Sequence, residues 1–484
     1  MGPSMPSLLH QALEEQAIKT PGNVAIEYYP DVQMTYSELN DSSNRLARYL
    51  KNRQPEGREI VALCLEMGPF LVIAILAVLK AGMAWVPLPQ DAPRARISHI
   101  LKACNIELAF CSESTKHIVG DMVSCFKLDE IFRTLEFQSC SSSNLGCNRN
   151  PSDLCHILFT SGSTGVPKGV LIEHLAVAHN VRELVKEFGL GPETRTLQFA
   201  APTFDVFSLD LFMTILCGGC LIMAPLSSMV ADLTTFIRRA KITYAQLTPT
   251  ILEMIDPPGV SSLQVFTSSG EALSQKLANR WRNKVRLFNA YGPTETIVCT
   301  TQELGGNQID AACIGQELPG LEVCLLAHGS VEEVPEGEIG EICVAGPQLF
   351  RGYISTEKSK DTKSIECNRN GKRHYRTGDL GKIERGPAGE KTIRYLGRRD
   401  GQVKLHGIRV DLGDVEQSIL TCHTIQKCAI VLPRSGPSGG RLCSIVVLHQ
   451  SFKAQGTNLA SPEPKIARFQ VGLLNGLQEV LLLL

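Results

Sequence analysis

The chain has 484 residues, too many for one compact core, so two or more subdomains are expected. Apolar residues make up 43% and charged residues 20%, the balance of an ordinary globular protein. Lys plus Arg (48) nearly cancel Asp plus Glu (49), and no basic run with interleaved aromatics compensates, which argues against nucleic-acid and membrane-surface partners.

The N-terminal stretch "MGPSMPSLLHQALEEQ" carries no secretory signal, and the 17 cysteines are odd in number and scattered. Both point to free thiols in a reduced, cytoplasmic setting. "SLLHQALEEQAIKTPG" predicts an amphipathic helix stopped by Pro-Gly, and "NVAIEYY" predicts a strand. "TYSELNDSSNRLARYLKN" opens on a Thr35-x-x-Glu38 capping box and continues with helical apolar spacing. The most apolar stretch is "FLVIAILAVLKAGMAWVPL" (70–88), which Lys80 interrupts short of the roughly 20 residues a bilayer span needs. It predicts a buried helix that breaks at Gly82 and runs into a strand ending at Pro87. "QSCSSSNLGCNRNPSD" (138–153) predicts a surface loop. This alternation, continued to about residue 300, predicts an α/β fold with parallel sheets sandwiched by helices. From about 310 to 397 short strands with glycine turns predict a small β-rich subdomain. Beyond Asp400, "VDLGDVEQSILTCHTIQKCAIVLPRS" predicts a helix and then a strand. Pro464 should open a helix with Ile466, Phe469, Leu473, Leu477 and Leu481 on one face. The chain then stops inside "VLLLL", an apolar run that needs something to pack on, so the C-terminal region is expected to be truncated.

One loop raises the chemical question. "LFTSGSTGVPKGV" (158–170) gathers Thr160, Ser161, Gly162, Ser163, Thr164, Gly165 and Lys168 behind an apolar run. Glycines let backbone N–H groups turn inward and hydroxyls add donors, which suits phosphate. The P-loop pattern G-x-x-x-x-G-K-[ST] nevertheless fails, because Pro167 replaces its second glycine and Gly169 its magnesium-binding hydroxyl. A Cys217-x-x-Cys220 pair has no second pair at ligand spacing, and it reads as small residues on a buried strand and turn.

Four further stretches carry chemistry. "NAYGPTETIVCTT" (289–301) combines an amide, an aromatic ring and a Gly-Pro turn with Glu295, which a helix dipole would also favour. "YRTGDLGKI" (375–383) sets Asp379 at a glycine turn, either an ordinary Asx-turn or an acceptor for ribose hydroxyls. "YLGRRDGQVKLHGIRV" (395–410) is a charged, hinge-like stretch. "FDVFSLD" (204–210) puts Asp205 in an apolar run, where it needs a partner, a structural cation or a ligand. Lys168 alone would pass for a surface lysine after a proline.

Together, "MTYSEL", "LKAGMAWVPLP", "LFTSGSTGVPKG", "FDVFSLD", "NAYGPTE", "YRTGDL" and "GRRDGQVKLHGIRV", in this order over residues 34–410, resemble the adenylate-forming superfamily. The likeness is greatest to the adenylation domains of nonribosomal peptide synthetases. It implies a core over 1–398, including the β-rich subdomain of about 310–397, and a mobile α+β lid over 399–484, incomplete at its end and hinged at Asp400. It implies that ATP, with magnesium bound near Glu295, activates an amino acid for transfer to phosphopantetheine on a peptidyl carrier domain, in cis or in trans. The loop 160–165 and Lys168 would hold the β- and γ-phosphates, with Lys168 and Glu295 supplying the catalytic charges. Tyr291 would stack on adenine, bordered by Asn289, Gly292, Thr294 and the "SSGEA" turn with Gly270, Glu271 and Ala272. Asp379 would hold the ribose with Arg398 nearby.

In amino-acid-activating members an aspartate at the position of Asp205 pairs with the substrate ammonium, a need that fatty- and aryl-acid ligases lack. The same likeness assigns Val206, Leu209, Gln246, Thr267, Ser269, Ala290, Val298 and Cys299 to the side-chain pocket, which favours a small-to-medium neutral amino acid. Asn475-Gly476 is followed by Leu477, but its surroundings resemble the helix that precedes the family's terminal lysine stretch, so that role is not carried over and the lysine stretch is expected to be missing. The chain is therefore expected to bind ATP yet adenylate poorly. Two alternatives are an acyl-CoA or aryl-acid ligase and a nucleotide-binding remnant without activity.

Overall fold

The computed structural model describes residues 8–484 apart from 54–56, 58, 148, 161–166, 306–308, 355–365, 370, 386–388, 400–401, 406–407, 421, 423–424, 433–440, 449–465, 470–479 and 484. Its compact units are two. One comprises Met1–Gln90, Arg94–Phe159 and Gly169–Gly397; the other comprises Asp91–Pro93, Thr160–Lys168 and Arg398–Leu484.

In the larger unit the local signals are realised closely. The helix Tyr36–Lys51 starts on a reciprocal capping box, with Thr35 Oγ1 accepting from Glu38 N (3.2 Å) and Glu38 Oε2 from Thr35 N (2.8 Å). Pro69 occupies the first turn of the helix Pro69–Lys80, and every residue from Leu71 to Lys80 is buried. A helix apolar on all sides belongs between layers. It packs on its strand neighbours in the sheet, on the helix Tyr36–Lys51 and on the helix Leu9–Lys19, which also meets the helix Asp205–Cys217. Lys80 ends the helix wholly buried, donating to Glu14 Oε1 (3.0 Å), Asn40 Oδ1 (2.7 Å) and Asn44 Oδ1 (2.8 Å). Three acceptors make burial of an ammonium group tolerable. Gly82 (φ +78°) then turns the chain into the buried strand Ala84–Pro87.

Among the described residues a seven-stranded sheet runs in the order Gly352–Ile354, Lys168–Glu173, Leu154–Thr160, Ala84–Pro87, Ile60–Cys64, Leu108–Cys111, Ser124–Lys127. The larger, fourteen-stranded sheet holds the parallel neighbours Arg195–Leu197, Tyr244–Leu247, Val265–Ser268 and Arg286–Tyr291. From Arg286–Tyr291 the same ladder turns antiparallel through Thr300–Glu303 and Cys313–Glu317 into the strands of the β-rich stretch. Apolar side chains of both sheets and the intervening helices share one core. The segment 138–153 closes over the helix Tyr36–Lys51, where Arg45 and Arg48 donate to carbonyls of residues 138–144.

Three expectations are corrected. Cys111 and Cys125 form a disulfide between neighbouring strands, so the thiols are not all free. Cys217 closes a helix instead of lying on a strand or turn, Gly218 turns the chain in the left-handed region, and Cys220 opens the next strand. Both thiols remain free, and burial pushes them to about 11 and about 12, which makes them poor ligands.

Finally, the apolar C-terminal segment does not continue as one helix. In the smaller unit Ile466–Phe469 and Val480–Leu483 pair antiparallel within a four-stranded sheet, the second lying parallel to Cys443–Leu448. Strand pairing overrides the 3.6-residue apolar spacing here, since Ile, Phe and Val also suit strands. Leu473, Leu477, Asn475 and Gly476 lie outside the described residues. The expected helix and strand after Asp400 are present as Leu412–Leu420 and Ile425–Val431.

Candidate active site

The wall expected to hold the nucleoside is built on the large sheet. The strand Lys372–Arg385 slips register against Ile339–Ala345 beyond Glu341, and Gly378 (φ +76°) takes the bend. Gly378 N donates to Glu341 Oε1 (3.1 Å), and the next residue, Asp379, is buried. Asp379 Oδ2 accepts from the Tyr291 hydroxyl (2.6 Å) and Oδ1 from the Tyr395 hydroxyl (3.5 Å). The two rings lie 5.8 Å apart at 43°. Burial, with the Asp379 charge next, pushes the Tyr291 phenol well up, so it stays a donor. Asn289 is committed elsewhere: its Nδ2 donates to the carbonyls of Ala311 (3.1 Å) and Cys313 (2.9 Å). At Gly292 a Cβ would strike the Ile297 carbonyl, which explains a glycine there without a ligand. Gly270 (φ +84°) turns the chain so that Glu271 Oε2 reaches back to Thr250 Oγ1 (2.6 Å). Thr294 is half-buried and Ala272 exposed.

Glu295 is buried and held from two sides. Its Oε1 accepts from the Tyr353 hydroxyl (2.6 Å), and its carbonyl accepts from Phe350 N (2.9 Å). Burial, then the Glu295 charge, pushes the Tyr353 phenol up. Among the described residues no group of three or more His, Cys, Asp or Glu gathers. A single carboxylate fits a cation whose remaining ligands are phosphate and water, the habit of magnesium. Tyr353 and Tyr395 were not singled out from the sequence. The signal available was a tyrosine within two residues of a glycine in "FRGYI" and "RYLG", which is weak alone.

The phosphate-loop candidates Ser161, Gly162, Ser163, Thr164 and Gly165 lie outside the described residues, as does Asp400. Thr160 ends one strand and Lys168 begins the next, so the loop joins strand to strand and does not open a helix. Gly169 has no space for a Cβ, which would strike Ile354 of the adjacent strand. Thr160, Lys168 and Arg398 belong to the smaller unit.

The pocket candidates all lie in the larger unit. Asp205 is the first residue of the helix Asp205–Cys217, and its Oδ1 accepts from Val206 N (2.8 Å). Val206 is half-buried and Leu209 fully buried. The parallel register pairs Gln246 with Thr267 and Thr267 with Phe288, so Gln246, Thr267, Ser269 and Ala290 lie on one sheet face. Gln246 Nε2 donates to Ser269 Oγ (3.0 Å). Val298 and Cys299 are buried, and Cys299 N donates to the Tyr291 carbonyl (2.8 Å). A further residue escaped the sequence reading. Asp210 is fully buried, neither carboxyl oxygen has a hydrogen-bond partner among the described residues, and burial pushes its acid well above the carboxylate range.

Two large sheets with helices between them define an α/β fold. The AMP-binding enzyme profile matches residues 13–354, and the chain belongs to that family of adenylate-forming ligases. It is 33% identical over 455 residues to tyrocidine synthase 1 of Brevibacillus parabrevis, a match covering 91% of this chain and 40% of that protein. The chain spans less than half the length of the curated relatives it matches, nonribosomal peptide synthetases among them. Its fold matches an artificially fused adenylation–PCP didomain, NpsA-ThdA from Klebsiella oxytoca (TM-score 0.77, 24% identity, 93% of this chain and 90% of that one). It also matches a double mutant of o-succinylbenzoate CoA synthetase from Bacillus subtilis (TM-score 0.78, 21% identity, 91% and 89%). No helix among the described residues is long and apolar enough to cross a membrane.

Proposed function

We propose that the chain converts an α-amino acid and ATP into an aminoacyl-adenylate, and that the aminoacyl group then passes to the phosphopantetheine thiol of a carrier domain. A carboxylate oxygen of the amino acid attacks the α-phosphorus, the bond to the β-phosphate oxygen breaks, and pyrophosphate leaves with the electron pair. The thiolate later attacks the acyl carbon and AMP leaves.

An anionic nucleophile meeting a polyanionic substrate needs positive charge and in-line placement. Lys168 and the N–H groups of residues 160–165 are assigned to the β- and γ-phosphates, and Glu295, oriented by Tyr353, to a magnesium ion that would offset phosphate charge. Tyr291, with Asn289, Gly292, Thr294, Gly270, Glu271 and Ala272 around it, is assigned to the adenine, and Asp379 and Arg398 to the ribose. Residues 399–484 are assigned to a lid hinged at Asp400.

The observation that supports the amino-acid reading is Asp205, a half-buried carboxylate on the first turn of a mostly apolar helix. An ammonium entering such a place needs a counter-ion. The test is amino-acid-dependent pyrophosphate exchange by the wild type and Asp205→Ala. Loss of the partner should cost about 3–5 kcal/mol, which abolishes measurable exchange. Exchange that survives the change contradicts the assignment. A second reading, an acyl-CoA or aryl-acid ligase, draws on the fold likeness to o-succinylbenzoate CoA synthetase. Exchange driven by aryl or fatty acids and indifferent to Asp205 would favour it.

A further inference from the structure

The chain between Tyr291 and Cys299 folds back on itself, and its bend falls at a residue poorly suited to it. Cys299 N donates to the Tyr291 carbonyl (2.8 Å), and Thr296 N donates to the Pro293 carbonyl (2.9 Å). Inside this loop, just beyond Glu295, Ile297 sits at φ +55°. A β-branched residue is strained there, so its surroundings must hold it. The Ile297 carbonyl fills the space that a Cβ on Gly292 would need.

Two wholly buried amides supply the hold, Asn180 from the helix His174–Phe188 and Gln348 from the segment after the strand Ile339–Ala345. Gln348 Nε2 donates to the Thr296 carbonyl (2.7 Å) and to the Val298 carbonyl (2.6 Å), straddling Ile297. Asn180 Nδ2 donates to Gln348 Oε1 (2.9 Å) and to the same Val298 carbonyl. This sets the Gln348 amide one way round, because turned over its oxygen would face two carbonyl oxygens. The segment that carries Gln348 also reaches Glu295 directly. Phe350 N donates to the Glu295 carbonyl (2.9 Å), and the Tyr353 hydroxyl donates to Glu295 Oε1 (2.6 Å). Glu295 is thus held at its carbonyl, at its carboxylate and through the turn that follows it. None of the roles assigned above uses Gln348 or Asn180.

We propose that Gln348 is a positioning residue for Glu295: it pins the strained turn at Ile297 and so keeps the Glu295 carboxylate in place for a divalent cation, with Asn180 orienting the Gln348 amide. This inference rests on the assignment of Glu295 to magnesium above. Without the two donated hydrogen bonds Ile297 can leave the left-handed region, and the carboxylate loses its placement.

The test is calorimetric binding of α,β-methylene-ATP to the full chain, with magnesium and with a chelator, beside metal-free AMP. Its readout is the metal gain, the ratio of affinity with magnesium to affinity without it. Electron paramagnetic resonance of Mn²⁺ added with the analogue reports the metal directly. In Gln348→Leu the metal gain should fall about 10-fold, as when a residue that holds a metal ligand is removed, and Mn²⁺ should bind correspondingly weaker. Metal-free AMP should bind as it does to the wild type. A purely structural Gln348 would lower stability and leave the metal gain unchanged. Tyr353→Phe should lower the gain too, and the double variant should fall short of the product of the two effects, since both act through Glu295. Should Gln348→Leu not fold, Asn180→Ala, which keeps the Gln348 donors but frees the amide to turn, should lower the gain by about 3-fold. An unchanged gain in the variant that folds, an equal loss of AMP affinity, or effects that multiply fully would each overturn the proposal. A wild type without a metal gain, or a gain that Glu295→Gln leaves intact, would instead overturn the magnesium assignment itself.

Discussion

The wall around Asp379 and the helix carrying Asp210 treat a buried carboxyl group in opposite ways. Asp379 lies on a strand bent by Gly378 and accepts hydrogen bonds from two tyrosine hydroxyls that the fold brings from 88 and 16 residues away. Asp210 lies inside an apolar helix with no partner for either oxygen among the described residues, and burial raises its pKa. The same residue type becomes a preorganised acceptor in one place and a neutral, space-filling acid in the other. The difference comes from neighbours, since both side chains are buried.

The largest effect that sharpens this contrast comes from three histidines that share the condition of Asp210. Burial lowers His10 and His156 to about 3 and His174 to about 4, so all are neutral in the fold. Their unfolded counterparts take protons below about pH 6.5, and the native ones do not until the pH nears 4. Stability should therefore fall as pH drops through that window, by about 1.4 kcal/mol per pH unit for each histidine. Denaturant midpoints at constant salt between pH 7.5 and 4.5 check this. A flat profile would show that burial is not what keeps these groups neutral.

Next in size, Asp379→Ala removes the shared acceptor of two tyrosines and the group assigned to ribose. ATP binding should weaken by about 1.5–3 kcal/mol in calorimetry, as for a hydrogen bond to a charged group. Unaltered affinity would turn Asp379 into a purely structural acceptor.

The smallest effect is expected at Asp210. Asp210→Asn should stay within about 1 kcal/mol of the wild type near pH 5, since a neutral acid is exchanged for a neutral amide. The variant should gain on the wild type as pH rises. Above about pH 4 the unfolded acid loses its proton while the native one keeps it, which erodes wild-type stability only. A large, pH-independent loss would mean that Asp210 is charged and paired.

What the sequence disclosed follows the range of the interaction. The capping box at Thr35, the break at Gly82 and the strand to Pro87 depend on residues a few positions apart, and each appears where local chemistry puts it. The three acceptors around Lys80 and the tyrosines at Asp379 come from distant strands and helices, and no local spacing encodes them. The C-terminal apolar segment shows the limit from the other side. Its spacing suited a helix, but partner strands decided otherwise. The glycines at 169 and 292 were legible as special, yet in the fold a close approach of neighbouring chain accounts for them.

The most direct measurement of the central claim is a binding cycle between Asp205 and the substrate ammonium. It compares an aminoacyl-sulfamoyladenosine with its desamino counterpart on the wild type and on Asp205→Ala. If Asp205 is the ammonium partner, the wild type prefers the amino form by about 10²-fold or more, and the variant loses that preference. An equal preference in both proteins, or none in the wild type, would contradict activation of an α-amino acid at this site.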